Sequence, residues 1–133
     1  MSDINVTSTS TDKNYISNIK AGKHEFNVDE PLDKGGLDTA AKPSELLGAA
    51  LASCTSITLQ MYMNHKEFAY KKVEVDVNFD MITTEPITFQ RHVIIEGDFD
   101  EKQQARLLKV ANSCPVHKVL EKCHEIETTI EFI

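Results

Sequence analysis

The chain has 133 residues, 41% of them hydrophobic and 26% charged, the balance of one soluble domain that can bury a core without disulfide staples. Its 14 basic residues stand against 21 acidic ones, a net charge of -7, which excludes the basic footprint of sequence-independent nucleic-acid binding. A wholly disordered chain, a collagen-like repeat and a disulfide-dense secreted scaffold are excluded as well.

The opening residues, Met1 to Asn14, lack a basic stretch followed by an apolar one, the mark of a secretory leader. The longest apolar stretch, Leu46 to Leu51 with Gly48 inside it, falls far short of the roughly 18 residues of a membrane span. The expectation is a cytoplasmic protein with no membrane or nucleic-acid partner, organised as a single domain over residues 1–133.

Asn5 to Thr9, Asn14 to Ile19 and His24 to Val28 carry β-type residues between turn signals at Asp12-Lys13-Asn14 and Ala21-Gly22-Lys23, which predicts a meander of about three strands. Asp29 to Lys42 holds Pro31, Gly35 and Gly36 without periodicity and reads as a long loop of the kind that carries function. Pro43 suits the first position of a helix. From there to His65 the apolar groups fall nearly all round, with small residues at Gly48, Ala49, Ala50, Ala52 and Ser53; that pattern predicts a central helix buried on most sides. Lys71 to Met81 alternates cleanly, with Val73, Val75, Val77 and Phe79 on one face, and Ile87 to Glu96 repeats the signal. Asp100 with Gln103 resembles a capping box ahead of a helical pattern through Ala111. Pro115 opens a second, shorter helix, and Glu125 to Ile133 alternates as a closing strand.

Cys54, Cys114 and Cys123 are the only cysteines, an odd count that argues for free, catalytic or metal-binding thiols over a structural framework. Cys54 lies mid-helix on a stripe with Leu47, Ala50, Leu51, Ile57, Thr58 and Met61. Taken alone it reads as a buried, inert thiol, because an apolar setting raises a thiol pKa unless a cation or donor is brought to it. Cys114 precedes Pro115 and falls at a helix N-cap, where backbone N–H groups and the dipole favour a thiolate; a small residue filling a helix corner is the equal alternative. Cys114 and His117 have the C-x-x-H spacing of one edge of a zinc site, without a second paired-ligand motif. Cys123 and His124 read as edge residues. No phosphate loop, nucleophile elbow or H-E-x-x-H occurs, so no cofactor is expected. Arg91, one of two arginines, shares strand parity with Phe89, Val93 and Ile95. A guanidinium on an apolar face is either paired or part of a site, or else it snorkels to water from a strand end.

The segment Lys42-Pro43-Ser44-Glu45-Leu46-Leu47-Gly48-Ala49-Ala50-Leu51-Ala52-Ser53-Cys54-Thr55 resembles the central-helix motif of the OsmC/Ohr family, the osmotically inducible and organic hydroperoxide resistance proteins. Ala111-Asn112-Ser113-Cys114-Pro115-Val116-His117-Lys118 resembles that family's second cysteine motif, and the element order agrees along nearly the whole chain. The resemblance implies a two-layer α/β (α+β) fold, forming an intertwined homodimer, and a thiol-dependent peroxidase acting on organic hydroperoxides. Cys54 would be the peroxidatic cysteine and Cys114 the resolving one, with a dithiol such as a dihydrolipoyl group as reductant. Two positions depart from the well-studied branches. Ser44 stands directly after Pro43 where those branches place a glutamate, and Glu45 follows one residue, or about 100°, later. Residues 1–42 contain no arginine. Arg91 is then the expected stabiliser of a Cys54 thiolate, and Glu45 an expected orienting group. An OsmC-like binding or redox-sensing module with little turnover is the alternative.

Overall fold

The computed structural model describes residues 4–82 and 85–133. They divide into two compact units, residues 1–49 and 50–133, with the central helix running from one into the other. By class the protein is mixed α/β, with two small antiparallel sheets and three α-helices among the described residues.

In the first unit β1 (Val6–Ser10), β2 (Ser17–Ala21) and β3 (His24–Val28) form the expected meander in the order β1-β2-β3. Gly22, at a φ of 63°, supplies the left-handed residue of the tight β2–β3 turn. The loop after β3 is pinned by buried Asp29. Its carboxylate accepts from the Glu30 N–H at 2.7 Å, the Thr39 N–H at 3.0 Å and the Thr39 hydroxyl at 2.8 Å. Gly36 is required there, since a Cβ would collide with the Glu30 carbonyl. The Thr39 N–H first, and the other donors after it, outweigh the opposing effect of burial and hold Asp29 down from 3.8 to about 2. A carboxyl depressed on folding contributes stability above its unfolded pKa and loses it as pH falls through the folded one. Thermal melts of the chain should therefore weaken between about pH 4 and pH 2, and Asp29→Asn should melt lower at pH 6 and lack that acid step.

The helix α1 (Pro43–His65) starts and ends where the sequence places it. Its buried stripe is Leu51, Thr55, Leu59 and Met63, at i+4 spacing. This corrects the expectation of burial on most sides: Ile57 and Met61 are 49% and 67% exposed. Helical apolarity reports that a surface seeks cover, while the stripe that is covered depends on where the sheet and the other helices stand.

The second unit carries the main core. β4 (Tyr70–Asn78) pairs antiparallel with β5 (Gln90–Gly97), with Val73 opposite Ile95 and Val77 opposite Arg91. α2 (Glu101–Ala111) begins at the Asp100 capping box, complete in both directions. Leu59, Met63, Leu107 and Ala111 form the buried cluster, flanked by Tyr62, Phe68, Val73, Val93, Ile95 and Phe99. Truncating a residue such as Leu59 to alanine costs about 2–5 kcal/mol in settings of this kind. By length and composition α1 is apolar enough to cross a membrane; its Leu59 and Met63 lie instead at the centre of this core. α3 (Pro115–Lys122) has Pro115 at its first position and Cys114 as its N-cap.

The alternating segment 125–133 forms no strand. Ile126, Ile130 and Phe132 are 85%, 77% and 84% exposed. Alternation marks a segment fit for pairing, and a strand forms only where a ladder partner takes up its backbone groups.

Candidate functional site

The chemistry gathers in the second unit, where one turn of α1, the start of β5 and the N-terminus of α3 meet. Cys114 is wholly buried. As N-cap of α3 its sulfur accepts from the His117 backbone N–H at 3.3 Å, the geometry in which a cap satisfies one of the helix's unpaired donors. The Thr55 hydroxyl lies 3.7 Å from the same sulfur, and the Cys54 side chain is a neighbour that helps hold its thiol down. The structure thus brings the two expected cysteines together. Cys54 is half-buried, with Thr58 Oγ1 at 3.9 Å from its sulfur. Cys123 is exposed at the C-cap of α3.

The Arg91 guanidinium is paired with protein groups rather than snorkelling to water. Nη1 donates to Thr55 Oγ1 at 3.0 Å, and Nη2 donates to Asn112 Oδ1 at 2.9 Å and meets His117 Nδ1 at 2.9 Å. Its fork geometry lets one guanidinium tie α1, α2's end and α3 together. Since a guanidinium has no acceptor, His117 Nδ1 takes the Arg91 hydrogen, which leaves the ring proton on Nε2, 3.2 Å from Glu121 Oε2. Both ring nitrogens of His117 are therefore engaged away from the Cys114 sulfur. Among the described residues no group of three His, Cys, Asp or Glu side chains is placed to hold a metal.

Burial pushes the Cys114 thiol up. The His117 N–H, the Thr55 hydroxyl, the Cys54 thiol and the Arg91 charge together outweigh it and hold Cys114 below the ordinary thiol range. The Arg91 charge is the smallest of these contributions to Cys114. Glu45 lies in the first unit, where its carboxylate accepts from the Lys42 N–H at 3.1 Å and so caps the start of α1.

Thr55 and Asn112 are site residues that sequence reasoning missed. The available signal was a threonine four residues after Leu51 and four before Leu59, a lone hydroxyl within an apolar stripe. A cavity of about 460 Å³ is walled by Leu51, Ile87, Phe89 and Leu120 and edged by Arg91, Asn112, His117 and Glu121; neither cysteine lines it. Such an apolar cleft with a few convergent polar groups is the usual form of a small-molecule site.

The sequence profile of OsmC-like protein matches residues 35–129, and the chain belongs to that family. Its fold is shared with many solved structures. An OsmC-like protein from Mycoplasma pneumoniae superposes with a TM-score of 0.76 at 16% identity, covering 91% of this chain and 89% of that one. An organic hydroperoxide resistance protein from Elizabethkingia anophelis gives 0.65 at 22% identity, with 92% and 90% covered. An OsmC-like protein of unknown function from Vibrio cholerae gives 0.67 at 12% identity, with 91% and 95% covered. At these identities the likeness establishes the fold. No curated protein matches the chain by sequence.

Proposed function

We propose that the protein is a thiol-dependent peroxidase that reduces organic hydroperoxides and works as a homodimer. The observation that carries this reading is the pairing of a half-buried Cys54 with a fully buried, donor-rich Cys114. Cys54, the more accessible sulfur, attacks the O–O bond and becomes a sulfenic acid. Cys114 then closes a disulfide with it, and an external dithiol restores the pair by exchange. The apolar wall of Leu51, Ile87, Phe89 and Leu120 favours an alkyl or aryl peroxide over hydrogen peroxide, since burial of carbon is the interaction it offers. Family membership, and the naming of one structural relative as an organic hydroperoxide resistance protein, point the same way.

The test is steady-state consumption of cumene hydroperoxide with a dithiol reductant, combined with peptide mapping after one equivalent of peroxide without reductant. The expected product has lost two hydrogens, links Cys54 to Cys114 and leaves Cys123 free. A map that places Cys123 in the bond would remove Cys114 as resolver.

One observation favours a second reading. Residues 1–42 carry no arginine, so the N-terminal arginine of the well-studied branches has no counterpart there. A binding or redox-sensing module would form the same disulfide with stoichiometric peroxide and show no multiple turnover with dithiol.

A further inference from the structure

The chain is acidic overall, yet four of its 14 basic side chains surround one cavity. Lys66, Lys102, Arg106 and Lys109 line a cleft of about 520 Å³, and no aspartate or glutamate lines it. Among the described residues none of the four is paired with a carboxylate. Lys102, Arg106 and Lys109 share one face of α2 at i, i+4 and i+7. Like charges at this spacing repel, and Lys102 stands in the first turn, at the positive end of the helix dipole. The cluster therefore weakens α2, and no described partner offsets that. Tyr62 and Phe68 form an aromatic wall of the cleft, edge to face with ring centroids 5.8 Å apart. The turn after α1 sets this wall: the Lys66 N–H donates to the Tyr62 carbonyl at 2.9 Å, and the Phe68 N–H to the Met63 carbonyl at 2.8 Å. Arg106 Nε donates to the Tyr62 hydroxyl oxygen at 3.2 Å, which orients the guanidinium and leaves its two Nη groups to donate elsewhere. The Tyr62 oxygen accepts that bond, so its own hydrogen is left to donate. The Gln103 side-chain oxygen is taken by the Asp100 N–H at 3.0 Å, which leaves its amide N–H groups toward the cleft it lines.

We propose that this cleft is a binding site for an organic phosphate monoester, a dianionic phosphoryl group on an aromatic or short apolar body. The polar side-chain groups that the cleft leaves open are donors, and an anion is the ligand that uses donors alone. Four cations exceed what one carboxylate neutralises, whereas a phosphate monoester brings close to two negative charges near neutral pH and three acceptor oxygens. The planar Arg106 fork suits two of those oxygens, and the lysines add point charges around them. A bare ion would leave Tyr62 and Phe68 unused. Carbon laid against those rings is what separates an organic phosphate from an inorganic one. The site is separate from the thiols. Tyr62 lies about 12 Å beyond Cys54 along the axis of α1, and this cleft shares no lining residue with the cavity edged by Arg91. The proposal does not depend on the peroxidase reading.

The test is calorimetric titration of the full chain with phenyl phosphate, inorganic phosphate and phenol, in about 50 mM salt so that screening is weak. Phenyl phosphate should bind one to one with a Kd of about 0.1 mM. Inorganic phosphate, which lacks the apolar body, should bind about tenfold more weakly or worse, and phenol should not saturate. Raising the salt to about 0.5 M should weaken phenyl phosphate about tenfold, because the rim charges are exposed to solvent. Arg106→Gln should lower the affinity about tenfold by removing the charged fork. The double variant Lys102→Gln, Lys109→Gln should do the same, and it serves if Arg106→Gln folds poorly. Lys71→Gln removes one charge from β4, outside the cleft, and should change the affinity by less than about twofold. An equal loss in Lys71→Gln and Arg106→Gln would trace the binding to net charge and overturn the site. Inorganic phosphate binding as tightly as phenyl phosphate would overturn it as well, as would phenyl phosphate that fails to saturate by about 10 mM. Retention of the chain on vesicles containing phosphatidic acid, without binding of phenyl phosphate, would assign the cations to a membrane surface and overturn the cleft as a small-molecule site.

Discussion

Cys54→Ser should reduce consumption of organic peroxide to the uncatalysed rate, a loss of about a thousandfold or more, as is usual when a nucleophile is removed. Cys114→Ser should keep the first turnover. The reason lies in the unequal burial of the two sulfurs. Cys54 is half-buried on α1, while Cys114 has no exposed surface and is closed in by Thr55 and the first turn of α3. On the proposed reading peroxide should therefore reach Cys54 first, and Cys114 should meet only a sulfur that is already oxidised. In Cys114→Ser the Cys54 sulfenic acid has no resolving thiol and persists, or proceeds to sulfinic acid with excess peroxide. Mass spectrometry with a sulfenic-acid trap, after mixing with one equivalent of cumene hydroperoxide, reads both outcomes. A first turnover lost equally in both variants would mean that the two sulfurs do not divide the chemistry in this way. A first turnover kept in Cys54→Ser and lost in Cys114→Ser would reverse the roles.

The parts of this site that local chemistry dictates are legible in the sequence. The Asp100 and Gln103 box and the Cys114-Pro115 helix start are short-range patterns, and both are formed by the residues that announce them. The parity of β5 correctly put Arg91 on the inward face, beside half-buried Val93 and Ile95. Its partner was not legible, because Thr55, Asn112 and His117 are 36, 21 and 26 residues away along the chain. Only the packing of three elements decides which of them the guanidinium meets. The same limit explains the stripe of α1. Cys54, Ile57 and Met61 are as apolar in sequence as Leu51, Leu59 and Met63, and nothing local chooses between the two faces. Residues 125–133 carry the period of a strand and no information on what would pair with it.

Those two surplus surfaces underlie the last expected result: the protein should sediment at twice the mass of one chain at micromolar concentration, and Met61→Asp should return it to the monomer. Residues two apart on a helix point nearly 200° from one another. With Leu51, Thr55, Leu59 and Met63 turned into the core, Ile57 and Met61 thus occupy the opposite face, where they are 49% and 67% exposed. A single large apolar residue at the surface needs no explanation, but an apolar face along a central helix does. The second surface is the exposed alternating segment that carries Ile126, Ile130 and Phe132, and among the described residues the sheet β4–β5 has two strands, a number that is marginal without further cover. A second copy of the chain would supply both deficits at once, a matching helix face and a strand for an open sheet edge, which is the arrangement that the family resemblance implies. Met61→Asp leaves the isolated chain nearly untouched, since the side chain already faces solvent there. In a dimer it places a carboxylate in an apolar contact, at a cost of several kcal/mol. Sedimentation velocity on the two proteins decides the matter: a wild-type chain that remains monomeric at micromolar concentration would leave the face of Ile57 and Met61 without the partner assigned to it.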